Sequence, residues 1–394
     1  MSAFSSTAAA IRITLSSLPA RWPMALASLV GIALVVATLL GFLAMAEGFT
    51  RSLAGAGSRD VAVIVGRGVR SEQIGVLTPE TLQILESRLA DAGVPLRRLS
   101  AETVRVVAVP RTDGSTASIV LRGVGPAATA LRPQRRLPDG AAPPQPAEGE
   151  VVLGRAAAVQ LGATAVGTNV RLGGQQWRVA GIVSADGSAL ESEAWIDAGA
   201  MRTAFPDQPA VQSLRLPVAD PAVLTRLAGT LANDPRLSVR IEREDRFFAG
   251  QSAGLSRMLR GIGWPLAIAM AVGALAGALN TMFSSVAARA REIATLRAIG
   301  FGPGGTFVAT FTEALVLALA GAALGVAIVA LFLDGRVGST LAGGADVGFA
   351  FQLTPAAIGA AFLFAAVVGV LGGAAPAFRA ARQPILAGLA SDSQ

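Results

Sequence analysis

Four long stretches of the chain contain no charged residue and consist largely of apolar side chains; they cover residues 24–45, 261–288, 314–333 and 354–378. A helix rises 1.5 Å per residue, so the 22 residues of the first stretch extend over about 33 Å. The hydrocarbon core of a bilayer is about 30 Å thick. The pattern therefore predicts four transmembrane helices.

The first stretch also has the flanks of a secretory signal, because Arg12 and Arg21 precede it and the sequence A-M-A follows at 44–46. The apolar part of a signal peptide has about 7–15 residues, so we favour an uncleaved helix. Ahead of it, residues 1–22 carry apolar side chains at spacings of three and four. This spacing predicts an amphipathic helix on the membrane surface, with a disordered leader as the alternative. The apolar positions are Phe4, Ala8, Ile11, Leu15 and Leu18.

A strand–helix–strand pattern occurs twice in the segment between the first two stretches. Each helix starts with a capping residue and a proline, Thr78-Pro79 in the first copy and Asp220-Pro221 in the second. The four flanking strands are expected at 61–65, 104–109, 214–218 and 237–241. The repetition predicts two matching β-α-β units.

Residues 115–200 separate the two units and are rich in short apolar runs bounded by glycines. Strands are expected at 151–154, 169–172, 177–183 and 194–196. Five prolines in 132–148 predict an exposed loop there. The predicted fold is a membrane protein with four transmembrane α-helices. A large α+β extracytoplasmic domain, a split β-α-β subdomain with an inserted β-rich subdomain, lies between the first and second helices.

Composition removes several kinds of chemistry. The chain has no Cys and no His, and all 33 of its basic residues are Arg. Disulfides, zinc–thiolate sites and Ser-His-Asp triads are therefore excluded, and a P-loop would lack its lysine. We expect no catalytic residue, metal site or cofactor in this chain.

Arginines are unevenly distributed among the connections. Two precede the first stretch, three lie at 289–297 against one glutamate, and two lie in the tail against one aspartate. The connection at 334–353 carries one arginine and two aspartates. By the positive-inside rule both termini and the 289–297 link face the cytoplasm. The net charge of +7 then reflects topology, and no nucleic-acid partner is expected.

Residues 291–300 read R-E-I-A-T-L-R-A-I-G, and Glu313-Ala314 follows at the start of an apolar helix. This pattern, with one span, a large external segment and three further spans, resembles the MacB/FtsX-type ABC transporter permeases. The resemblance implies a second permease copy or a sister permease, and an ABC ATPase that binds ATP and Mg²⁺. It also makes the link a coupling helix that contacts the ATPase, through Arg289, Arg291, Glu292, Leu296, Arg297, Ile299 and Gly300. The alternative is that these arginines only satisfy the positive-inside bias and reach lipid phosphates.

Polar and small residues inside the apolar stretches are further candidates. Glu313 is costly in a membrane, and we favour pairing with Arg297 or Arg289 over a proton relay or an interfacial position that reaches water. Asn280 is expected to form an interhelical hydrogen bond, with a substrate contact as the alternative. Two small-x-x-x-small steps permit close helix packing, within the chain or with a second copy. They are formed by Gly273 and Gly277, and by Gly321 and Gly325.

Together these features divide the chain into nine segments. They are an interfacial helix (1–22), transmembrane helix one (23–47), a MacB-like periplasmic core domain (48–258), transmembrane helix two (259–288), the coupling helix (289–301), transmembrane helix three (302–333), a periplasmic loop (334–353), transmembrane helix four (354–378) and a cytoplasmic tail (379–394). A helix over 244–260 that continues into the second span is expected as a stalk, with an ordinary linker as the alternative.

The expected function is that of a permease subunit in the bacterial inner membrane, driven by a separate ATPase. Since the chain starts at its interfacial helix and has no lysine, no fused ATPase is expected. We favour efflux with a periplasmic adaptor, with contacts to membrane lipids. Lipoprotein extraction, regulation of a cell-wall hydrolase, and a signalling or scaffold role without transport are the alternatives.

Overall fold

The computed structural model describes residues 12, 22–69, 71–110, 116–133, 135–288, 290–298, 302–342, 345–382 and 384. Nearly all of the predicted interfacial helix at 1–22 therefore lies outside the described residues. The chain forms two compact units. The helical unit comprises Met1–Glu47, Met258–Arg336 and Phe351–Gln394, and the α+β unit comprises Gly48–Arg257 and Val337–Ala350.

The elements are labelled in chain order. The helices are α1 (Trp22–Ala54), α2 (Pro79–Asp91), α3 (Ala128–Leu131), α4 (Arg155–Gln160), α5 (Ala198–Ala204), α6 (Pro221–Asn233), α7 (Glu244–Ala288), α8 (Ala290–Ala298), α9 (Pro303–Phe332) and α10 (Pro355–Arg382). The strands are β1 (Val61–Gly66), β2 (Ser100–Pro110), β3 (Thr116–Val124), β4 (Glu150–Gly154), β5 (Asn169–Leu172), β6 (Gln175–Val183), β7 (Glu193–Asp197), β8 (Ser213–Pro217), β9 (Val239–Arg243), β10 (Val337–Ala342) and β11 (Ala345–Ala350).

Within the described residues, four helices are long and apolar enough to cross a membrane, as predicted; they are α1, α7, α9 and α10. Within the helical unit, α1, α9 and α10 share an apolar core built largely from alanines and branched side chains. Its buried members include Ile32, Val36, Leu40, Ala318, Ala322, Ala361 and Ala365. The predicted stalk is also present, because α7 is one continuous helix that starts at Glu244.

The α+β unit contains a nine-stranded sheet in the order β5-β6-β4-β7-β3-β2-β8-β1-β9. At one end, β1 lies between β8 and β9 and runs antiparallel to both. The two strands of each β-α-β unit therefore lie on either side of one strand from the other unit. This is the split β-α-β arrangement of ferredoxin-like folds. Thr78 and Asp220 cap α2 and α6 as expected, since their side chains accept hydrogen bonds from the N–H groups of Thr81 and Ala222.

Strands β3 to β7 of this sheet form the inserted subdomain, and β2 belongs to both parts of the sheet. Its first residues pair with β8 and its remainder pairs with β3. Each part has its own apolar core. Leu85, Leu214 and Leu227 belong to the core of the split subdomain, and Leu121 and Trp177 belong to the core of the insert.

Candidate functional site

The predicted coupling link forms the helix α8 and packs one face on its neighbours. The side chain of Ile293 is 7% exposed and lies in a cluster with Val286 and Ala380. Arg291 is exposed and Arg297 is half-buried. The apolar face of the link thus contacts helices of this chain. Residues Arg289, Ile299 and Gly300 and the side chains of Glu292 and Leu296 lie outside the described part of the structure.

The two polar residues predicted inside the helices differ in environment. The side chain of Glu313 is buried within α9, whereas Asn280 on α7 is exposed. A buried carboxylate at this depth fits a pairing role, which stays a prediction.

The two glycine pairs also differ. A Cβ atom on Gly325 would lie 2.7 Å from the carbonyl oxygen of Ala33, and one on Gly321 would lie 3.0 Å from the Ile32 side chain. These glycines therefore let α9 pack closely on α1. Among the described residues, a Cβ atom on Gly273 or Gly277 would meet nothing within 4 Å, so these two glycines are not required for a close approach between described helices.

A network of eight buried charges lies in the α+β unit, on a face of the sheet shared by both subdomains. None of the eight is among the predicted site residues. Each side chain is at most about a tenth exposed; the members are Glu72, Glu102, Arg122, Arg132, Arg135, Glu193, Arg215 and Glu244.

Glu102 on β2 is the centre of this buried charge network. Arg132 binds it in bidentate fashion, with Nη1 donating to Oε1 at 2.8 Å and Nη2 to Oε2 at 3.0 Å. Nη1 of Arg215 donates to Oε2 at 2.6 Å, and Nη1 of Arg122 donates to the same oxygen at 3.1 Å. The hydroxyl of Ser100 also donates to Oε1. Three guanidinium groups thus share one carboxylate, a geometry that the planar fork of arginine suits.

Arg122 carries the network into the inserted subdomain. Its Nε and Nη2 donate to the two oxygens of Glu193 on β7, at 2.9 and 2.6 Å. Its Nη1 also donates to Glu72 at 2.8 Å. In the other direction, Nε of Arg215 donates to Glu244, the first residue of α7, at 2.7 Å. The network therefore connects the start of α7 with a strand of the insert.

Strand alternation explains why these residues meet. Side chains at i and i+2 lie on one face of a strand, and Arg215 and Glu102 alternate with residues whose side chains pack in the core of the split subdomain, such as Leu214, Leu216 and Ala101. The available signal was Arg122 within the apolar run I-V-L-R-G-V of β3. A buried strand with a single arginine requires a buried acidic partner.

The predicted exposed loop at 132–148 is wrong at four positions, because Arg132, Arg135, Pro143 and Pro146 are buried. Most of its residues are exposed, but Arg132 and Arg135 are 0% and 1% exposed. The guanidinium carbon of Arg135 lies 3.4 Å from the ring centre of Trp195. Charged, proline-rich segments usually remain in water. Here the ring of Trp195 packs against Arg135 and the carboxylate of Glu102 binds Arg132, so both arginines are held in the interior.

Burial and neighbouring charges shift the pKa values in opposite directions. Burial alone would raise the pKa of Glu72, but Arg122 and Arg215 lower it to about 2. The pKa of Glu102 is likewise far below its ordinary value, because three arginines outweigh its burial. Burial and the guanidinium groups of Arg132 and Arg122 lower the pKa of Arg135 to about 9 despite the nearby Glu193. All four acids lie among cations, and among the described residues no cluster of acidic side chains could hold a metal ion.

Among curated protein sequences, none matches the chain. Several solved structures align with it in part. The periplasmic region of MacB from Actinobacillus actinomycetemcomitans aligns at 15% identity over 49% of this chain and 92% of its own, with a TM-score of 0.36. The extracellular domain of the noncanonic ABC-type transporter YknZ from Gram-positive bacteria aligns at 13% identity over 46% and 100%, with a TM-score of 0.33. A domain of a permease protein from Porphyromonas gingivalis aligns at 13% identity over 47% and 88%, with a TM-score of 0.30.

Two family models match the sequence. The MacB-like periplasmic core domain matches residues 25–233, and the FtsX-like permease C-terminal matches residues 265–385. The first match alone covers more than half of the 394 residues, and the second contains the part of α7 from residue 265 onward, α8 and α9. The chain therefore belongs to the MacB/FtsX-type ABC transporter permeases.

Proposed function

We propose that this permease converts ATP hydrolysis by its partner ATPase into motion of the α+β unit, and that the motion drives efflux with a periplasmic adaptor. Permeases of this family have no nucleotide site of their own and work with an ABC ATPase. In this proposal the chain lies in the bacterial inner membrane with both termini in the cytoplasm. A second copy or a sister permease completes the complex.

The observation that carries this proposal is the continuity of the helices. At 33 and 45 residues, α1 and α7 would extend over about 50 and 67 Å, more than the membrane core requires. Their ends, from Gly48 onward and up to Arg257, belong to the α+β unit. The connection between α9 and α10 belongs to it as well. Each long helix thus continues into the unit that would move.

The first residues of α7 are anchored inside the α+β unit. Phe247 is buried in a cluster with Val63 and Val65 of β1. Glu244 accepts hydrogen bonds from Arg215 and from the backbone N–H of Ser58. A shift of α7 along its axis would therefore displace the sheet and would not be absorbed by a loop.

The packing of the helical unit favours a mechanism in which the α+β unit moves over one in which substrate passes through a single copy of the chain. A cavity lined by side chains of α1, α7 and α10 has a volume of only about 10 Å³ and is apolar. This is about the space of one water molecule. Transport through external motion fits such packing better than a channel at this position.

The coupling assignment is tested by charge reversal in α8. We expect Arg291→Glu or Arg297→Glu to abolish the stimulation of the partner ATPase by the reconstituted permease, because both place a negative charge in the coupling link. Arg226→Glu, on the exposed side of α6, serves as a matched control. Full stimulation in both α8 variants, with correct folding, would contradict the coupling role and favour a scaffold.

The adaptor is tested by isolating the complex from native membranes in mild detergent. An ABC ATPase with a periplasmic adaptor, identified by mass spectrometry, would support efflux. An ATPase with a second, different permease would indicate lipoprotein extraction instead. Recovery of the permease without any ATPase would contradict the proposed function.

A further inference from the structure

The connection between α9 and α10 is a β-hairpin whose two strands pair from Val337↔Ala350 to Ala342↔Ala345. By sequence it joins two helices of the helical unit, yet it belongs to the α+β unit. This hairpin, residues 337–350, lies against two different parts of that unit.

One side of the hairpin contacts the end of α1. Phe349 and Phe49 are both buried, and their rings meet edge to face with centres 6.4 Å apart. The hydroxyl of Ser52 donates to the carbonyl oxygen of Gly348 at 2.8 Å. A Cβ atom on Gly48 would lie only 2.0 Å from the carbonyl oxygen of Ala350, so glycine is required for this approach.

The other side contacts the inserted subdomain. The N–H of Gly348 donates to the hydroxyl of Ser192 at 2.9 Å, and this contact is buried. The N–H of Ser118, on β3, donates to Oδ2 of Asp346 at 2.9 Å. The backbone of Gly348 thus bonds α1 through its carbonyl group and the insert through its N–H.

We propose that the hairpin is a second mechanical input, through which α9 and α10 move the inserted subdomain. This inference rests on the proposed function. The coupling link α8 directly precedes α9, and α9 continues into the hairpin, so this covalent route does not pass through α7 or the buried charge network. Ser192 and Asp346 are the positioning residues of this input, because they fix the hairpin to the insert and touch no substrate.

The test removes these contacts and follows both subdomains by hydrogen–deuterium exchange in the reconstituted complex. In the variant with Ser192→Ala and Asp346→Ala, we expect ATPase stimulation to persist. The ATP-dependent change in exchange within the insert should fall about tenfold, because two hydrogen bonds are lost, a buried one at Ser192 and a partly buried one at Asp346. The response of the split subdomain should persist, since α1 and α7 still reach it.

Ser188→Ala is the matched control. Its hydroxyl is buried within four residues of Ser192, but among the described residues it has no hydrogen-bond partner. This variant should respond to ATP as the unaltered chain does. An equal loss in the control and in the double variant would show that any change in this region disturbs the insert, and would overturn the assignment.

A reversible rescue separates attachment from folding. A Cβ atom on Gly348 would lie 3.7 Å from the Cβ of Ala156 in α4 of the insert, within the range for a disulfide. Since the chain contains no cysteine, Gly348→Cys with Ala156→Cys forms one defined pair. It is added to the double variant, because a Cβ atom on Gly348 would lie 3.1 Å from the Ser192 hydroxyl that this variant lacks. The oxidised pair should restore the ATP-dependent response of the insert, and reduction should remove it again.

The outcomes distinguish the two levels of the proposal. If the unaltered complex shows no ATP-dependent change in either subdomain, the proposed function itself fails. If it responds and the double variant responds equally, only the hairpin input is overturned. A disulfide that blocks the response of the insert would also overturn it, because the hairpin would then have to detach during the cycle.

Discussion

The helical unit and the α+β unit are stabilised in different ways. In the helical unit, small residues such as Gly321 and Gly325 let helices pack closely, and among the described residues of α7 apolar side chains such as Val272 are exposed, Val272 to 63%. The α+β unit has two apolar cores, and its buried charge network joins the split subdomain to the insert. Lipid tails are as apolar as the side chains that face them, so apolar side chains in a membrane are not exposed to water. The helical unit therefore needs few specific contacts.

The difference indicates what each unit is built to do. Buried ion pairs stabilise a fold only when their geometry is good enough to offset the cost of desolvation. Much of this stabilisation is lost when one partner shifts. A sheet joined by such pairs therefore keeps one arrangement and transmits displacement.

The largest effect should come from the centre of the network. Glu102→Ala would leave Arg122, Arg132 and Arg215 without their shared carboxylate, and we expect the α+β unit to lose about 3–5 kcal/mol of stability. Tryptophan fluorescence during thermal unfolding measures this, since Trp195 lies against the network. Glu150→Ala is the control, because its ion pair with Arg178 is 3.7 Å long and partly exposed. A similar loss in both variants would contradict the special role of the network.

A smaller effect is expected in the helical unit. Gly325→Leu places a side chain where the Ala33 carbonyl oxygen lies 2.7 Å from the Cβ position, and should cost about 1–3 kcal/mol. A Cβ atom on Gly277 would meet none of the described residues within 4 Å, so Gly277→Leu should leave the thermal stability of the isolated chain unchanged. If Gly277→Leu instead prevents assembly of the complex, this position of α7 contacts a partner. Equal destabilisation by both substitutions would contradict the packing described here.

A further effect is a pH dependence of the stability that is confined to acid. The pKa of Glu72 is about 2 in the folded chain, against an ordinary value of 4.5. Its charge therefore stabilises the fold above about pH 4.5, and this stabilisation is lost as the pH falls from there toward 2. The melting temperature should fall over that range, and less steeply in Glu72→Gln. Identical pH profiles would show that Glu72 does not contribute.

Sequence alone predicted the features that depend on local pattern. The four apolar helices, the caps at Thr78 and Asp220 and the four strands of the split subdomain follow from hydrophobic periodicity and helix-start residues. The hairpin strands and the fit of Gly348 against Ser192 do not, because residues 156 positions apart meet there. The buried charge network could not be predicted for the same reason, because its members lie on strands distant in sequence. In addition, Arg132 and Arg135 lie in a segment whose composition is typical of exposed loops.

The central claim is that ATP-driven coupling through α8 moves the α+β unit. Since the chain has no cysteine, spin labels can be placed uniquely at Val159→Cys in the insert and Leu331→Cys in α9, which are 66% and 76% exposed. Distances between the labels in the complex with its ATPase, free of nucleotide and trapped with ATP, test the claim directly. We predict a shifted distance distribution with ATP that Arg297→Glu abolishes. Unchanged distances while ATP is being hydrolysed would contradict it.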